Sequence, residues 1–131
     1  MIATPFNPER PDFAGQIVGF DLQQPFTDAL VRQVREAMDH FGVCVFRDQT
    51  IDDARQIEFS RLFGNLEFSP NFGRAKGETV RMKHPELFDV SNLDENDQIL
   101  PDNDRRRFYR MANEMWHTDS SFQPHGASYS T

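Results

Sequence analysis

The pair of residues best suited to chemistry in this chain is His117 and Asp119, which stand two positions apart. In a strand, alternate side chains point to the same face, so the imidazole and the carboxylate could hold one metal ion between them. Such a pair supplies two of the three ligands of a 2-His-1-carboxylate triad, which leaves one face of Fe(II) open for a cosubstrate and oxygen. The bare pair is a weak signal, because a surface His beside a turn-forming Asp has the same spacing.

The elements that must position this pair are predicted from apolar periodicity and from turn residues. The first half of the chain predicts a strand over 16–22, a helix from an N-cap at Thr27 to Gly42, a strand over 43–46 and a helix from near Thr50 to Gly64. The continuous apolar run at 43–46 is typical of a strand that is covered on both faces. The sequence therefore predicts an α+β arrangement with two helices.

The remaining segments carry weaker patterns. Three prolines among the first 11 residues predict an irregular start, and the charged segment 92–110 predicts a long polar loop. Short strands are predicted over 80–82, 87–91, 111–122 and 127–131. The strand over 111–122 matters most, because it would carry the His-x-Asp pair.

Composition limits the classes of function. The chain has 131 residues with 14 Lys+Arg against 21 Asp+Glu, a formal net charge of −7, which argues against nucleic-acid and anionic-membrane partners. A single Cys excludes an internal disulfide framework. The start has no basic and apolar leader, and no apolar run is long enough to span a bilayer. We therefore expect a soluble, cytoplasmic protein.

Four blocks of sequence resemble one known family. The segment Asn113-Glu114-Met115-Trp116-His117-Thr118-Asp119-Ser120-Ser121-Phe122 is similar to the metal-binding strand of the taurine dioxygenase / 2,4-dichlorophenoxyacetate dioxygenase (TauD/TfdA) family. Segments 14–22, 43–49 and 61–67 resemble the first strand of the family, its Val-Phe-Arg-x-Gln strand and its helix exit, in family order. The four blocks span most of the chain, which makes coincidence a poor explanation.

The resemblance implies an Fe(II)- and 2-oxoglutarate-dependent dioxygenase. It implies that His117 and Asp119 are iron ligands and that Asn113, Trp116 and Ser120 contribute to the substrate pocket. It also implies a second His ligand and an Arg for 2-oxoglutarate from the C-terminal half of a jelly roll, beyond Thr131. Lys83 is a candidate cation for an acidic substrate, because an unpaired buried carboxylate is costly.

The substrate class follows from departures within the family pattern. Where taurine-type members carry a His and a Tyr for the substrate, this sequence has Ser69 and Phe72. The sequence His-Thr-Asp-Ser-Ser-Phe at 117–122 also resembles the aryloxyalkanoate-degrading branch of the family. We therefore expect a small organic acid of the aryloxyalkanoate type, with 2-oxoglutarate and O2 as the other partners and oxidative ether cleavage as the outcome. A taurine-like or other alkylsulfonate substrate is the alternative.

Residues 1–131 are thus expected to be the N-terminal part of a single dioxygenase domain, truncated after the His-x-Asp strand. The expected fold is the α+β N-terminal portion of a double-stranded β-helix (jelly roll) with two flanking helices and an incomplete barrel. We expect the chain alone to be inactive. Two other classes stay open: a catalytically inactive member that binds a metal or ligand, and a hydrolase that uses His117 and Asp119. Assembly of the full-length protein into a homo-oligomer also stays open.

Overall fold

Short strands and helices alternate along the first part of the chain. The structure is a computed structural model that describes residues 1–68, 82–121 and 123–131, without the side chains of residues 109, 110, 112 and 113. Its elements are β1 (Ile2–Pro5), β2 (Gly15–Val18), α1 (Asp28–Phe41), β3 (Cys44–Phe46), α2 (Asp53–Arg61), α3 (Arg105–Arg110) and a 3-10 helix (Met111–Glu114). The chain divides into two units, Met1–Gly64 and Asn65–Thr131, each of which is described by itself.

The N-terminal unit is built on a three-stranded sheet in the order β1-β2-β3. β1 pairs antiparallel with β2, with Ile2 opposite Val18, and β2 pairs parallel with β3, with Gly15 opposite Cys44. The parallel pair requires a crossover connection, which α1 supplies. The predicted strands at 16–22 and 43–46 are therefore present in shortened form.

Helix α1 has the ends that its sequence predicts. The Thr27 side chain accepts a hydrogen bond from the Leu30 backbone N–H at 3.2 Å, which satisfies one of the free donors of the first turn. Gly42 ends the helix at φ 68°, and its N–H donates to the Met38 carbonyl at 2.8 Å. Between the two caps, the apolar face of the helix enters the core with Val34, Ala37 and Phe41.

Helix α2 adds an aromatic layer to this core. Its N-cap is Asp52, two residues after the predicted start near Thr50. The Asp52 carboxylate accepts a hydrogen bond from the Arg55 backbone N–H at 2.8 Å. The Phe59 ring packs on Phe20, Phe46 and Phe63 with ring centroids 5.8, 5.9 and 5.1 Å away. Ring pairs at these separations contribute beyond their buried area, which makes this cluster the main apolar contact between the helix and the sheet.

The second unit contains short-range structure around one buried residue. Leu100 is almost completely buried, and its N–H donates to the Asn92 carbonyl at 2.8 Å. An isolated antiparallel bridge joins Leu93 and Ile99. Helix α3 then begins at Arg105, one residue after Asp104. In the described residues, no helix is long and apolar enough to cross a membrane.

Several sequence-based predictions are wrong in detail. The predicted irregular start contains β1, and the predicted polar loop over 92–110 contains α3. β3 is half-buried rather than covered on both faces, because it is the last strand of the sheet. The predicted strands over 87–91 and 127–131 are not strands, and the prediction over 80–82 falls mostly outside the described residues. Two long helices and a small sheet confirm the α+β class.

The predicted strand over 111–122 is also wrong. The segment begins as the 3-10 helix Met111–Glu114, and residues 115–121 pass through irregular backbone into a turn; Phe122 lies outside the described residues. Two causes are apparent: in the structure helix α3 continues directly into Met111, and in the sequence Asp-Ser at 119–120 is typical of turns. Ser120 has φ 56°, a left-handed conformation that a strand does not contain.

Candidate metal centre

The structure brings the His117 and Asp119 side chains together without a paired strand. His117 Nε2 lies 3.2 Å from Asp119 Oδ1, and the two side chains are 44% and 57% exposed. The backbone between them is not helical, so the i and i+2 side chains can still project in similar directions. The spacing argument therefore holds although the strand that was expected to carry it is absent.

Each of the two side chains is oriented by a hydrogen bond to another residue. His117 Nδ1 is 2.7 Å from the Met115 carbonyl oxygen, to which it donates. Ser130 Oγ donates to Asp119 Oδ2 at 2.8 Å, which leaves Oδ1 as the oxygen facing the imidazole. A ring N–H held by a backbone carbonyl and a carboxylate held by a hydroxyl are typical outer-shell contacts of metal ligands.

This geometry fits a divalent metal ion. Two adjacent ligands of an octahedral ion, each about 2.1 Å from the metal, lie roughly 3.0 Å apart. The 3.2 Å between Nε2 and Oδ1 is close to that separation. Because Nδ1 carries the proton given to Met115, Nε2 of the neutral ring has the lone pair that a metal requires. A protonated imidazole would instead form an ion pair with Asp119 in the same arrangement.

The described residues offer two ligands of such a centre. Across 1–68, 82–121 and 123–131, no group of three or more His, Cys, Asp or Glu side chains is placed to hold a metal ion. His117 and Asp119 could thus form two corners of a site, and Fe(II) with oxygen and nitrogen donors would suit them. The donor set lacks thiolate, which argues against a structural zinc site.

The turn after Asp119 is held by a residue that the sequence did not single out. Ser120 Oγ donates to Glu67 Oε2, and Gln123 Nε2 donates to Glu67 Oε1 at 2.9 Å. Glu67 belongs to the block that resembles the helix exit of the family, but 53 positions separate it from Ser120, so sequence spacing could not pair them. Ser130 was likewise missed.

The other predicted site residues are placed as follows. Trp116 is fully exposed and Lys83 is exposed. The Asn113 side chain lies outside the described residues, as do Ser69 and Phe72. The substrate-binding roles of Asn113, Trp116, Ser120 and Lys83 therefore remain predictions.

Comparison with known proteins identifies the family. The family model described as taurine catabolism dioxygenase TauD, TfdA family, matches residues 4–131. The chain belongs to the TauD/TfdA family. This confirms the family predicted from the four sequence blocks.

Two curated relatives and one solved structure agree with this membership. The chain is 39% identical over 121 residues to the alpha-ketoglutarate-dependent 2,4-dichlorophenoxyacetate dioxygenase of Burkholderia sp. (strain RASC), covering 92% of the chain and 40% of that protein. It is 36% identical over 124 residues to the enzyme of the same name from Cupriavidus pinatubonensis (strain JMP 134), covering 95% and 42%.

The structural neighbour is AAD-2, solved in complex with Mn(II) and N-oxalylglycine. It superimposes with a TM-score of 0.80 at 34% identity, covering 97% of this chain and 40% of AAD-2. The chain thus spans about two fifths of the length of these TauD/TfdA relatives. The predicted 2-oxoglutarate cosubstrate agrees with the names of the two curated relatives. The predicted divalent metal agrees with the Mn(II) in the AAD-2 structure.

Proposed function

We propose that this chain supplies two iron ligands to an Fe(II)- and 2-oxoglutarate-dependent dioxygenase that acts on a small organic acid of the aryloxyalkanoate type. The observation that carries the proposal is the 3.2 Å approach of His117 Nε2 to Asp119 Oδ1, with the ring oriented by the Met115 carbonyl. The identities of 39% and 36% to enzymes named for 2,4-dichlorophenoxyacetate support the substrate class.

The chain's own residues would prepare the metal centre. The Met115 carbonyl fixes the tautomer of His117, so that the lone pair of Nε2 remains available to bind a metal. The Ser130 hydroxyl holds one carboxylate oxygen of Asp119, which favours metal binding through the other oxygen alone. When bound, Fe(II) would supply a centre with an open face at which the keto acid and oxygen react. The third ligand and the cation for 2-oxoglutarate would come from elsewhere in a jelly roll.

The expected overall reaction balances as an oxygenation. 2-Oxoglutarate, O2 and the aryloxyalkanoate give succinate, CO2 and a substrate hydroxylated at the carbon beside the ether oxygen. That product is a hemiacetal, which loses its phenol and leaves an oxo acid. Trp116, Ser120 and Asn113 would line the substrate pocket, and Lys83 would pair with the substrate carboxylate.

The test measures succinate and phenol with the natural full-length protein that carries this chain, supplied with Fe(II), 2-oxoglutarate, O2 and an aryloxyacetate. We expect His117→Ala and Asp119→Ala each to lower succinate formation at least about 100-fold, since loss of a ligand should exceed the 10–100-fold effects of outer-shell changes. The matched control is His40→Ala, because His40 Nε2 lies 3.7 Å from Asp12 Oδ1 in a second imidazole–carboxylate pair.

Four outcomes would contradict parts of the proposal. Succinate formation coupled to taurine but not to the aryloxyacetate would favour the alkylsulfonate alternative. Product formation without oxygen would indicate the hydrolase alternative. Metal uptake without succinate for any acid tried would leave an inactive binding protein, and equal activity of His117→Ala and His40→Ala would remove His117 from the centre.

A further inference from the structure

Glu67 makes a two-oxygen contact with the turn that follows Asp119. One carboxylate oxygen accepts from the Ser120 hydroxyl and the other accepts from Gln123 Nε2 at 2.9 Å. The half-buried Glu67 therefore contacts both ends of the segment 120–123. Hydrogen bonds to an ionised acceptor are stronger than neutral ones, so this carboxylate is well suited to hold the segment in one conformation.

The two residues that Glu67 contacts are also joined through their backbones, and one of them has an unusual conformation. Ser120 lies in the left-handed region at φ 56°, and the Gln123 N–H donates to the Ser120 carbonyl at 3.0 Å, which closes a turn. A non-glycine residue adopts this conformation at some cost, so the surrounding contacts must maintain it. The Glu67 contact with the Ser120 side chain is one that can do so.

The orientation of Ser120 bears directly on Asp119. The two residues share one planar peptide unit, so a rotation about Ser120 φ turns Asp119 as a body relative to the residues that follow Ser120. Asp119 is held on its other side by Ser130 Oγ and faces His117 through Oδ1. Release of the turn would leave the Asp119 carboxylate held by the Ser130 hydrogen bond to Oδ2, without the support of the turn that follows it.

We propose that Glu67 is a positioning residue of the metal centre, which sets the direction of the Asp119 carboxylate by holding Ser120 and Gln123. This inference rests on the proposed function, because it takes Asp119 to be a metal ligand. The proposal also gives Ser120 a role besides lining the substrate pocket, since the Ser120 hydroxyl donates to Glu67.

The variants are chosen to separate positioning from folding. Glu67→Ala removes both acceptors, whereas Glu67→Gln keeps the shape and can satisfy both partners if the Ser120 hydroxyl turns to accept. The matched control is Glu95→Ala, which removes a carboxylate of the same unit that pairs with Arg106 at 3.3 Å. Gln123→Ala, which removes one of the two contacts, serves if Glu67→Ala does not fold.

The experiment uses the natural full-length protein and Mn(II) as the probe. Free Mn(II) is measured by electron paramagnetic resonance during titration, the spectrum of bound Mn(II) is recorded, and thermal unfolding of each variant is followed in parallel. We expect Glu67→Ala to weaken Mn(II) binding about 10-fold, the lower end of outer-shell effects, because Glu67 acts through the turn. Glu67→Gln should recover most of this loss, and Glu95→Ala should stay within about twofold of the original protein.

Each result bears on the proposal. A lower melting temperature of Glu67→Ala with unchanged Mn(II) affinity and spectrum would overturn it in favour of a structural role. Equal losses in Glu67→Ala and Glu95→Ala would also overturn it, and so would absence of Mn(II) binding in the original protein. Normal Mn(II) binding that depends on Glu67, without succinate formation, would refute the proposed function and leave the positioning role supported.

Discussion

Replacement of Gln49 tests why the chain needs this residue after β3. Its side-chain oxygen accepts from the Leu22 N–H at 2.8 Å, and its amide nitrogen donates to the Phe20 carbonyl at 3.0 Å and to the Arg47 carbonyl at 2.7 Å. Gln49 is the last residue of the block that resembles the Val-Phe-Arg-x-Gln strand of the family. The structure shows that its amide joins the segment after β3 to the segment after β2.

The expected cost of Gln49→Ala follows from the burial of its partners. Leu22 and Phe20 are 5% and 7% exposed, so their backbone groups would lose partners in a place that water reaches poorly. Each unsatisfied buried group costs about 1–3 kcal/mol, whereas the exposed Arg47 carbonyl can bind water instead. The two groups together cost about 2–6 kcal/mol, and with roughly 1 kcal/mol regained from side-chain freedom we expect a loss of about 1–5 kcal/mol.

The assay is urea denaturation together with native-state hydrogen exchange at the Leu22 amide, whose donor bond is the one removed. The matched control is Gln33→Ala, since Gln33 is exposed on α1. An exposed substitution of this kind should change the free energy of unfolding by about 0.5 kcal/mol or less. Equal values for the Gln49 and Gln33 variants, or unchanged exchange at Leu22, would refute the reasoning.

Glu at position 49 gives a second test with a defined sign. One carboxylate oxygen could still accept from Leu22, but the other would face the Phe20 and Arg47 carbonyl oxygens. That repulsion should raise the pKa of the new carboxyl in the folded protein above its unfolded value of about 4.3. The stability of Gln49→Glu should therefore be greatest below that value and fall as pH rises through the raised pKa. A pH-independent loss would contradict this.

Three further predictions concern local structure. Gly15→Ala would place a Cβ 2.7 Å from Phe41 Cγ and should cost about 1–3 kcal/mol in urea denaturation, whereas Gly126→Ala meets no atom within 4 Å and should cost nothing measurable. Burial raises the pKa of the Cys44 thiol, so iodoacetamide at mildly alkaline pH should react with it more slowly than with a free thiol, and equal rates would contradict this. The backbone N–H groups of Gln98 and Asn96 donate to the Asp94 carboxylate and lower its pKa. The turn over 94–98 should therefore be stabilised above the ordinary carboxyl pKa and lose that stabilisation as pH falls through the lowered value. Hydrogen exchange of its amides should show this loss, and Asp94→Asn should abolish it.

The sequence predicted those parts of the fold that depend on neighbours along the chain. Thr27 and Gly42 mark the ends of α1 because a cap is made within a few residues of the cap itself. β1 was missed because its evidence is its pairing with β2, which joins Pro5 to Gly15 ten positions further on and Ile2 to Val18 sixteen positions further on. Pro5 also argued against it, although proline is tolerated in an edge strand such as this one.

The candidate site shows the same division between local and distant information. The spacing of His117 and Asp119 was enough to place Nε2 and Oδ1 3.2 Å apart, because two side chains separated by one non-helical residue meet whether or not the strand is paired. The prediction of a strand was wrong, yet the conclusion drawn from it about proximity needed only the local backbone. Glu67 contributes from 53 positions away, and no periodicity connects it with Ser120. An imidazole–carboxylate pair of this type can therefore be found from sequence, whereas the contact of the distant Glu67 with the turn after it becomes visible only in the folded chain.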